Sequence, residues 1–498
     1  MTTRTSGLAM DAATFRALGH QLVDSVAEFL EGVPRRPLTR DASPSAVRKA
    51  LALEGGLPES GMDPGELLQQ AATQLFDHSL VNGHPRFFGY ITSSPAPIGM
   101  LGELLAAAVN ANVSSWALAP AATAIETQTV RWIAEFIGYP ADCGGLLVSG
   151  GNMANFVGFL AGRAARAPWD VRRQGVHGDG GRTLRVYASA ETHTWIQKGA
   201  DISGLGTDAI RWIPTDRQLR MDVTALRRQI EDDTAAGDAP CIVIGTAGSV
   251  STGAVDPLAE IGALCREHGI WFHVDAAYGG FAAAVPEAPD ALRGLSGADS
   301  VAVDPHKWLY APLEAGCALV RRPAALRAAF AYHPPYYHFD EHATNYVDYG
   351  PQNSRGFRAL KVWLALRQVG AAGYRQMIGD DIRLSRLMAE TIAQHDELEL
   401  GTQSLSIATF RYVPRELRAR IGDPAVERRL DALNRELLDR LQRGGETFVS
   451  NAVVTGRYML RACIVNFHTT QEDVEMLAAI VARVGREVAS TLRAGAAD

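Results

Sequence analysis

No stretch of this 498-residue chain reaches the roughly 18 uninterrupted apolar residues that a membrane-crossing helix needs. A membrane-spanning role is therefore not expected. Basic residues do not gather in a patch: 48 Lys and Arg stand against 55 Asp and Glu, and the resulting net charge of −7 is spread along the chain. Such a surface is a poor partner for nucleic acid or an anionic membrane. Cysteine is scarce. Cys143, Cys241, Cys265, Cys317 and Cys463 lie far apart with no Cys-x-x-Cys pair, which argues against a disulfide framework and a zinc site. Most of them sit beside apolar residues, as buried thiols do, and a reducing, cytoplasmic location is the expectation. Met1 to Met10 are polar and Thr-rich, without the basic-then-apolar pattern of a secretory leader. Internal repeats and low-complexity tracts are also lacking.

What the chain has is apolar residues, 47% of the total, enough for a large core with smaller attachments. Three zones follow from the patterning. Residues 1–84 carry helical spacing (Phe15, Leu18, Leu22, Val26, then Pro64 to Leu80) but no strands, so these helices are expected to pack onto something else. Residues 85–390 alternate short apolar runs with longer amphipathic ones. The strand-like runs are Gly145–Val148, Leu184–Ser189, Cys241–Ala247, Trp271–Ala276, Ser300–Val303 and Cys317–Val320; helical runs such as Ala154–Arg166, Val223–Asp233 and Pro257–His268 lie between them. That alternation predicts an α/β fold with a mainly parallel sheet covered on both faces. Residues 391–498 read as a small α+β unit, with strands at Leu405–Tyr412 and Met459–Asn466 and helices at Val426–Arg443 and from Gln471.

Ligands of parallel sheets bind beyond the carboxyl ends of the strands, and several of these ends carry polar residues. Ser149-Gly150-Gly151-Asn152 lies between a strand and a helix, where glycines and free backbone N–H groups suit a phosphate; a plain tight turn has the same residues. His193 and Thr246 follow two further strands, and each alone is also an ordinary capping or turn residue. Asp275 ends an apolar strand, an expensive place for a carboxylate unless it is paired. A protonated pyridine nitrogen would satisfy it, worth roughly 4 kcal/mol at about 4 Å and an effective dielectric near 20 before desolvation; a salt bridge to an arginine is the structural alternative. Lys307, in Asp304-Pro305-His306-Lys307-Trp308, stands where an amine loses water and its proton more readily than on an open surface, as a Schiff-base lysine must.

Taken together and in this order, Ser149-Gly150-Gly151-Asn152, His193, Val274-Asp275-Ala276-Ala277-Tyr278 and Pro305-His306-Lys307-Trp308 resemble the group II pyridoxal-phosphate amino acid decarboxylases, with the pattern of the aromatic-L-amino-acid decarboxylases the nearest. The resemblance runs from about His84 to Trp363. It implies a fold-type I enzyme, pyridoxal 5'-phosphate as cofactor, and a homodimer with active sites at the interface and N-terminal helices embracing the partner. It also implies that Lys307 carries the cofactor, Asp275 pairs with the ring nitrogen and His193 stacks on the ring. Thr246 would lie beside the ring, Gly150, Gly151 and Asn152 would hold the phosphate, and Ala277 and His306 would be close by. Tyr336 matches the family's catalytic tyrosine, carried on a loop over the site. His333, His338, Asp340, Glu341 and His342 in the same segment match no standard metal-ligand spacing, and no metal is expected.

The resemblance places the substrate pocket on the stretches Phe87–Ser93 and Ala111–Trp116 and at Ser354. Tyr90 and Trp116 fit an aromatic side chain, with Thr92 and Ser93 beside them; Asn112 and Ser114 stand where aromatic-specific relatives tend to be apolar. Ser354 matches a position at which plant relatives preferring phenolic substrates carry Ser. The expected reaction is therefore decarboxylation of an aromatic L-amino acid (tyrosine-, DOPA- or tryptophan-like), with a phenolic side chain favoured, to amine and carbon dioxide. The alternatives are a small polar or acidic substrate, or an aldehyde-forming or other fold-type I reaction. Asp304 departs from the Asn commonly found ahead of Pro-His-Lys.

Overall fold

A computed structural model describes residues 6–178, 181–334 and 343–494. Seven strands form the central sheet: β1 (Gly144–Val148), β2 (Leu184–Ser189), β3 (Ile210–Ile213), β4 (Ala239–Thr246), β5 (Trp271–Asp275), β6 (Ser300–Val303) and β7 (Gly316–Val320). Their spatial order is β1-β7-β6-β5-β4-β2-β3. Neighbours from β6 to β3 pair in parallel, and β7 alone runs antiparallel to both β1 and β6. Every residue of β1, β5, β6 and β7 is buried, as expected of a sheet covered on both faces. The carboxyl ends of β1, β2, β4, β5 and β6 consequently open on one edge.

The six central-sheet strands expected from the sequence are present within one or two residues, with one addition. β3 is a four-residue edge strand whose Arg211 and Trp212 are not buried, so it lacks the apolar run that marks the others. Around the sheet, large apolar clusters fill both faces, one against helix Pro120–Phe136 and the other against helix Gly150–Arg166.

A second sheet, antiparallel, holds β8 (Leu398–Ser404), β9 (Ile407–Tyr412), β10 (Ser450–Val454) and β11 (Arg457–Cys463) in the order β10-β11-β9-β8. The sequence suggested one strand over Leu405–Tyr412. Leu405 instead takes a left-handed backbone, with φ of 50°, and turns the chain between β8 and β9. β8 is only partly buried and polar, and β10 alternates, so neither stood out from its apolarity. Helices Pro424–Gly444 and Gln471–Ala494 cover this sheet. Helix Ala359–Gln394 carries the chain through residue 390, where the sequence put a boundary between the large and small units.

The N-terminal helices Ala12–Gly32, Pro44–Ala50 and Pro64–His78 contain no buried residue. Phe29 stacks on Phe76 at 4.3 Å, while Phe15, Leu67 and Leu75 stay exposed. Leu101, Leu104, Leu105 and Val109 on helix Pro97–Val109 are exposed as well. Among the described residues, no helix is long and apolar enough to cross a membrane.

One buried ion pair ties the β1 edge to the rest. Glu126 is fully buried; its Oε1 accepts from the Leu147 N–H at 2.8 Å and from Arg355 Nη2. Arg355 also donates to the carbonyls of Val113 at 2.7 Å and Leu147 at 2.8 Å. Removing the cation leaves an uncompensated carboxylate in the core, a loss of about 3–5 kcal/mol. Arg355→Met is expected to lower the unfolding free energy by that amount in denaturant titrations; a drop under about 1 kcal/mol would place the pair among those of surface strength.

Candidate active site

The sheet edge builds a cavity of about 450 Å³, and it gathers residues from five strand ends. After β1 comes the turn into helix Gly150–Arg166. Gly150 has φ of +78°, a conformation that favours glycine. At Gly151 a Cβ would fall 2.6 Å from Asp304 Oδ2 and 3.2 Å from Ala277 Cβ, so only glycine lets the helix start this close to the site. Gly151 and Asn152 line the cavity, and this helix start presents unpaired N–H groups and a positive dipole end.

β2 leads to His193, which lines the cavity. Burial depresses its imidazole below the usual value, and nearby Asp275 only partly counters this, so the ring is neutral at pH 7. β4 ends at Thr246, whose N–H donates to Asp256 Oδ2 at 2.8 Å while Asp256 Oδ1 accepts from Met221. β5 ends at Asp275, 8% exposed. Its Oδ2 accepts from Trp195 Nε1 at 2.7 Å and its Oδ1 from the Ala277 N–H at 3.1 Å. The arginine salt bridge that the sequence allowed is not formed: among the described residues both partners of this carboxylate are neutral donors.

Past β6, residues Pro305–Trp308 make one helical turn. Lys307 Nζ lies 2.9 Å from Asp304 Oδ2, and the two side chains are 19% and 2% exposed. His306 Nδ1 sits 2.7 Å from the Ala315 carbonyl, and burial lowers its ring below the usual value. The turn is anchored from behind by Asp381 on helix Ala359–Gln394, whose Oδ2 accepts from Trp308 Nε1 and the Tyr310 hydroxyl, each at 2.8 Å. Trp308 stacks on Tyr278, itself part of the cavity wall, at 4.8 Å.

The small unit closes the far side with Ser450, Asn451 and Arg461. Arg461 is 2% exposed; its Nη1 donates to the Tyr90 carbonyl at 2.9 Å, and among the described residues its Nε and Nη2 have no partner. Tyr90, Ile91 and Thr92 complete the wall, while Ser93 is buried and donates to the His306 carbonyl at 2.8 Å.

These residues fit pyridoxal phosphate. The glycine cradle and helix start suit its phosphate, the Asp275 carboxylate lacks a cation, and Lys307 offers an amine at the same cavity. A lysine-bearing cavity at this edge of a mainly parallel sheet defines a fold-type I pyridoxal-phosphate enzyme. The comparisons take this further. Residues 50–413 match the pyridoxal-dependent decarboxylase conserved domain. An aromatic-L-amino-acid decarboxylase of Bacillus atrophaeus is 31% identical over 97% of each chain. A phenylacetaldehyde synthase of Petunia hybrida is 30% identical over 91% of each. A crystal structure described as Oryza sativa TDC with PLP and tryptamine superposes with a TM-score of 0.89, at 26% identity, covering 97% of this chain and 99% of that one. The chain belongs to the pyridoxal-dependent decarboxylase family, and it is a pyridoxal-phosphate-dependent carboxy-lyase.

Not every expected residue reaches the cavity. Asn112 is exposed and its Oδ1 accepts from the Arg355 N–H at 3.0 Å. Trp116, 42% exposed, and Ser354, also exposed, are absent from the cavity wall of their own chain, and Ser114 is buried apart from it. Tyr336, with His338, Asp340, Glu341 and His342, lies outside the described residues; His333 lies 2.9 Å from Asp348 Oδ1. Sequence reasoning missed Trp195, Asp381 and Arg461. Only Arg461 gave a readable signal, as a charge inside the apolar run Met459–Asn466.

Burial pushes the Asp381 carboxyl up to about 7 from an ordinary 3.8, against the hydrogen bonds from Tyr310, Trp308 and the Asn466 backbone that lower it. Between about pH 4 and 7 the folded chain therefore keeps a proton that the unfolded chain has released. This group's contribution is full below pH 4 and is lost as pH rises through 7. Asp381→Asn is expected to remove that decline, so that stability relative to the parent improves from pH 5 to pH 8 by on the order of a few kcal/mol. Denaturant titrations at the two pH values check this; parallel profiles for the two proteins would contradict it.

Proposed function

We propose that the protein decarboxylates an aromatic L-amino acid, with phenolic side chains favoured, to the amine and carbon dioxide. The observation that carries the decarboxylase chemistry is the convergence of Lys307 and a cation-free Asp275 on one cavity. The cofactor supplies a sink for the electron pair left when carbon dioxide departs. In this reading Lys307 holds the cofactor and Asp275 keeps its ring nitrogen protonated. His193, neutral, covers the ring face. Gly150, Gly151 and Asn152 seat the phosphate, with Thr246, Ala277 and His306 around them.

The aromatic reading is supported by Tyr90, Ile91, Val250 and Tyr278 along the cavity wall and by the relative of aromatic specificity. A small acidic substrate is the second reading, favoured by the unpartnered nitrogens of Arg461. Asn112, Trp116 and Ser354 would serve the substrate pocket only from a second copy of the chain. The exposed apolar residues of the N-terminal helices and of helix Pro97–Val109 support such a homodimer. Incubating the purified, cofactor-loaded protein with each common L-amino acid, and scoring amine and carbon dioxide, decides the substrate. Tyrosine or 3,4-dihydroxyphenylalanine is expected to react faster than glutamate, aspartate or lysine; a clear preference for an acidic or basic side chain overturns the aromatic reading.

Tyr336 is assigned the last proton. Once carbon dioxide has left, the former α-carbon must be protonated to give an amine, and a phenol can deliver that proton. Without it, dioxygen oxidises the same carbon, giving aldehyde, ammonia and peroxide. Tyr336→Phe is expected to keep carbon dioxide release but to shift product from amine toward aldehyde and peroxide. An unchanged amine yield in Tyr336→Phe, with loss in Tyr337→Phe, would move the role one residue along.

A further inference from the structure

Asp304 occupies an unusual position for a carboxylate. It is 1% exposed and precedes the Pro305–Trp308 turn, yet its side chain makes no capping hydrogen bond there. Oδ2 contacts Lys307 Nζ at 2.9 Å, and Oδ1 is buried with no partner among the described residues. Among the described residues it is the only acid within 4 Å of that amine.

We propose that Asp304 is the proton acceptor that turns Lys307 from an ammonium into a free amine when the cofactor is captured. The proposal rests on Lys307 being the cofactor-bearing lysine. The Lys307 ammonium gives one proton to Asp304 Oδ2 along the 2.9 Å contact. Its freed lone pair then bonds to the aldehyde carbon of the cofactor, and the two remaining N–H protons leave with the aldehyde oxygen as water. Asp304, now a neutral acid, holds the proton beside the same nitrogen and can return it. An asparagine has the same shape and can accept a hydrogen bond, but it cannot take this proton.

Other titratable groups face the pair. His306 Nε2 is 3.7 Å from Asp304 Oδ2, a weaker approach than that of Nζ. His193 and Asp275 stand across the cavity from Lys307, Glu314 lies near His306, Cys317 lies within the field of Asp304, and Arg461 closes the far wall. Of these, the described contacts place only Asp304 on the amine.

The test uses full-length protein stripped of cofactor, as parent, Asp304→Asn and, as a second variant, Asp304→Ser. Pyridoxal phosphate is added across a pH series, and the rate of visible absorbance gain is followed. Borohydride reduction and peptide mapping then locate the label. In parallel, Lys307 is reductively methylated with formaldehyde and cyanoborohydride without cofactor. Both variants are expected to slow both reactions about tenfold or more near pH 7, with the gap closing toward about pH 10, where solvent takes the proton. Equal or faster rates in the variants overturn the proposal and leave Asp304 a counter-ion. A label on another lysine defeats the cofactor assignment instead, and the methylation arm still decides the role of Asp304.

Discussion

A carboxylate buried at the end of a central strand, with no cation of its own, is the constraint around which the site is arranged. Asp275 ends β5 with 8% exposure and, among the described residues, is held by the Trp195 indole and one backbone N–H. Neutral donors fix its orientation without cancelling its charge, which leaves that charge available to a cationic ring nitrogen. Trp195 can serve because it is itself locked, edge-on to Phe159 at 6.2 Å and to His273 at 5.7 Å. His273 is in turn held between Ser300 and Asn155 at 2.8 Å each, and burial lowers it to about 4, so it adds no competing positive charge behind the site. The layer beneath Asp275 is polar, satisfied and uncharged.

The second centre of charge, Lys307, is positioned by the opposite device. It carries an anionic neighbour, Asp304, in front and a hydrogen-bonded acid, Asp381, behind its flanking Trp308 and Tyr310. The helical turn that bears it is four residues long, too short to hold its own shape. Tertiary contacts supply the rigidity: Trp308 against Tyr278, and Tyr310 against Tyr374 and Phe467. Moving Lys307 thus means disturbing the large sheet, helix Ala359–Gln394 and the start of the C-terminal helix region together.

The parts of this arrangement that were legible in the sequence are those whose physical cause is local. Strands buried on both faces of a sheet need continuous apolar runs, so β1, β2, β4, β5, β6 and β7 could be read directly, and the residues just past them could be inspected for chemistry. β3, β8 and β10 could not, because edge or half-exposed strands alternate or turn polar. Trp195 gave no signal, since its importance lies in an 80-residue separation from Asp275 that only the fold closes. The same holds for Asp381, which looks like one more acid on a long amphipathic helix until Trp308 and Tyr310 are seen to point at it. The reading of Asn112, Trp116 and Ser354 as pocket residues drew on resemblance alone, and the single chain does not bring them to the cavity.

The wall of the cavity therefore draws on two different parts of the molecule. The groups that suit the cofactor come from strand ends of one rigid sheet, whereas the far wall, Ser450, Asn451 and Arg461, belongs to β10 and β11 of the small sheet. The segment Phe87–Thr92 bridges the two, pairing with the small unit through Phe88 N–H to the Phe448 carbonyl at 2.8 Å and through the Arg461 bond to Tyr90. Tyr90 takes a left-handed backbone, φ 51°, which aromatic residues seldom adopt. That conformation presents its carbonyl to the buried guanidinium, and the hydrogen bond offsets part of the strain. A change in the small unit would accordingly be felt first at this wall of the cavity, through Tyr90 and Arg461, while Lys307 and Asp275 keep their geometry.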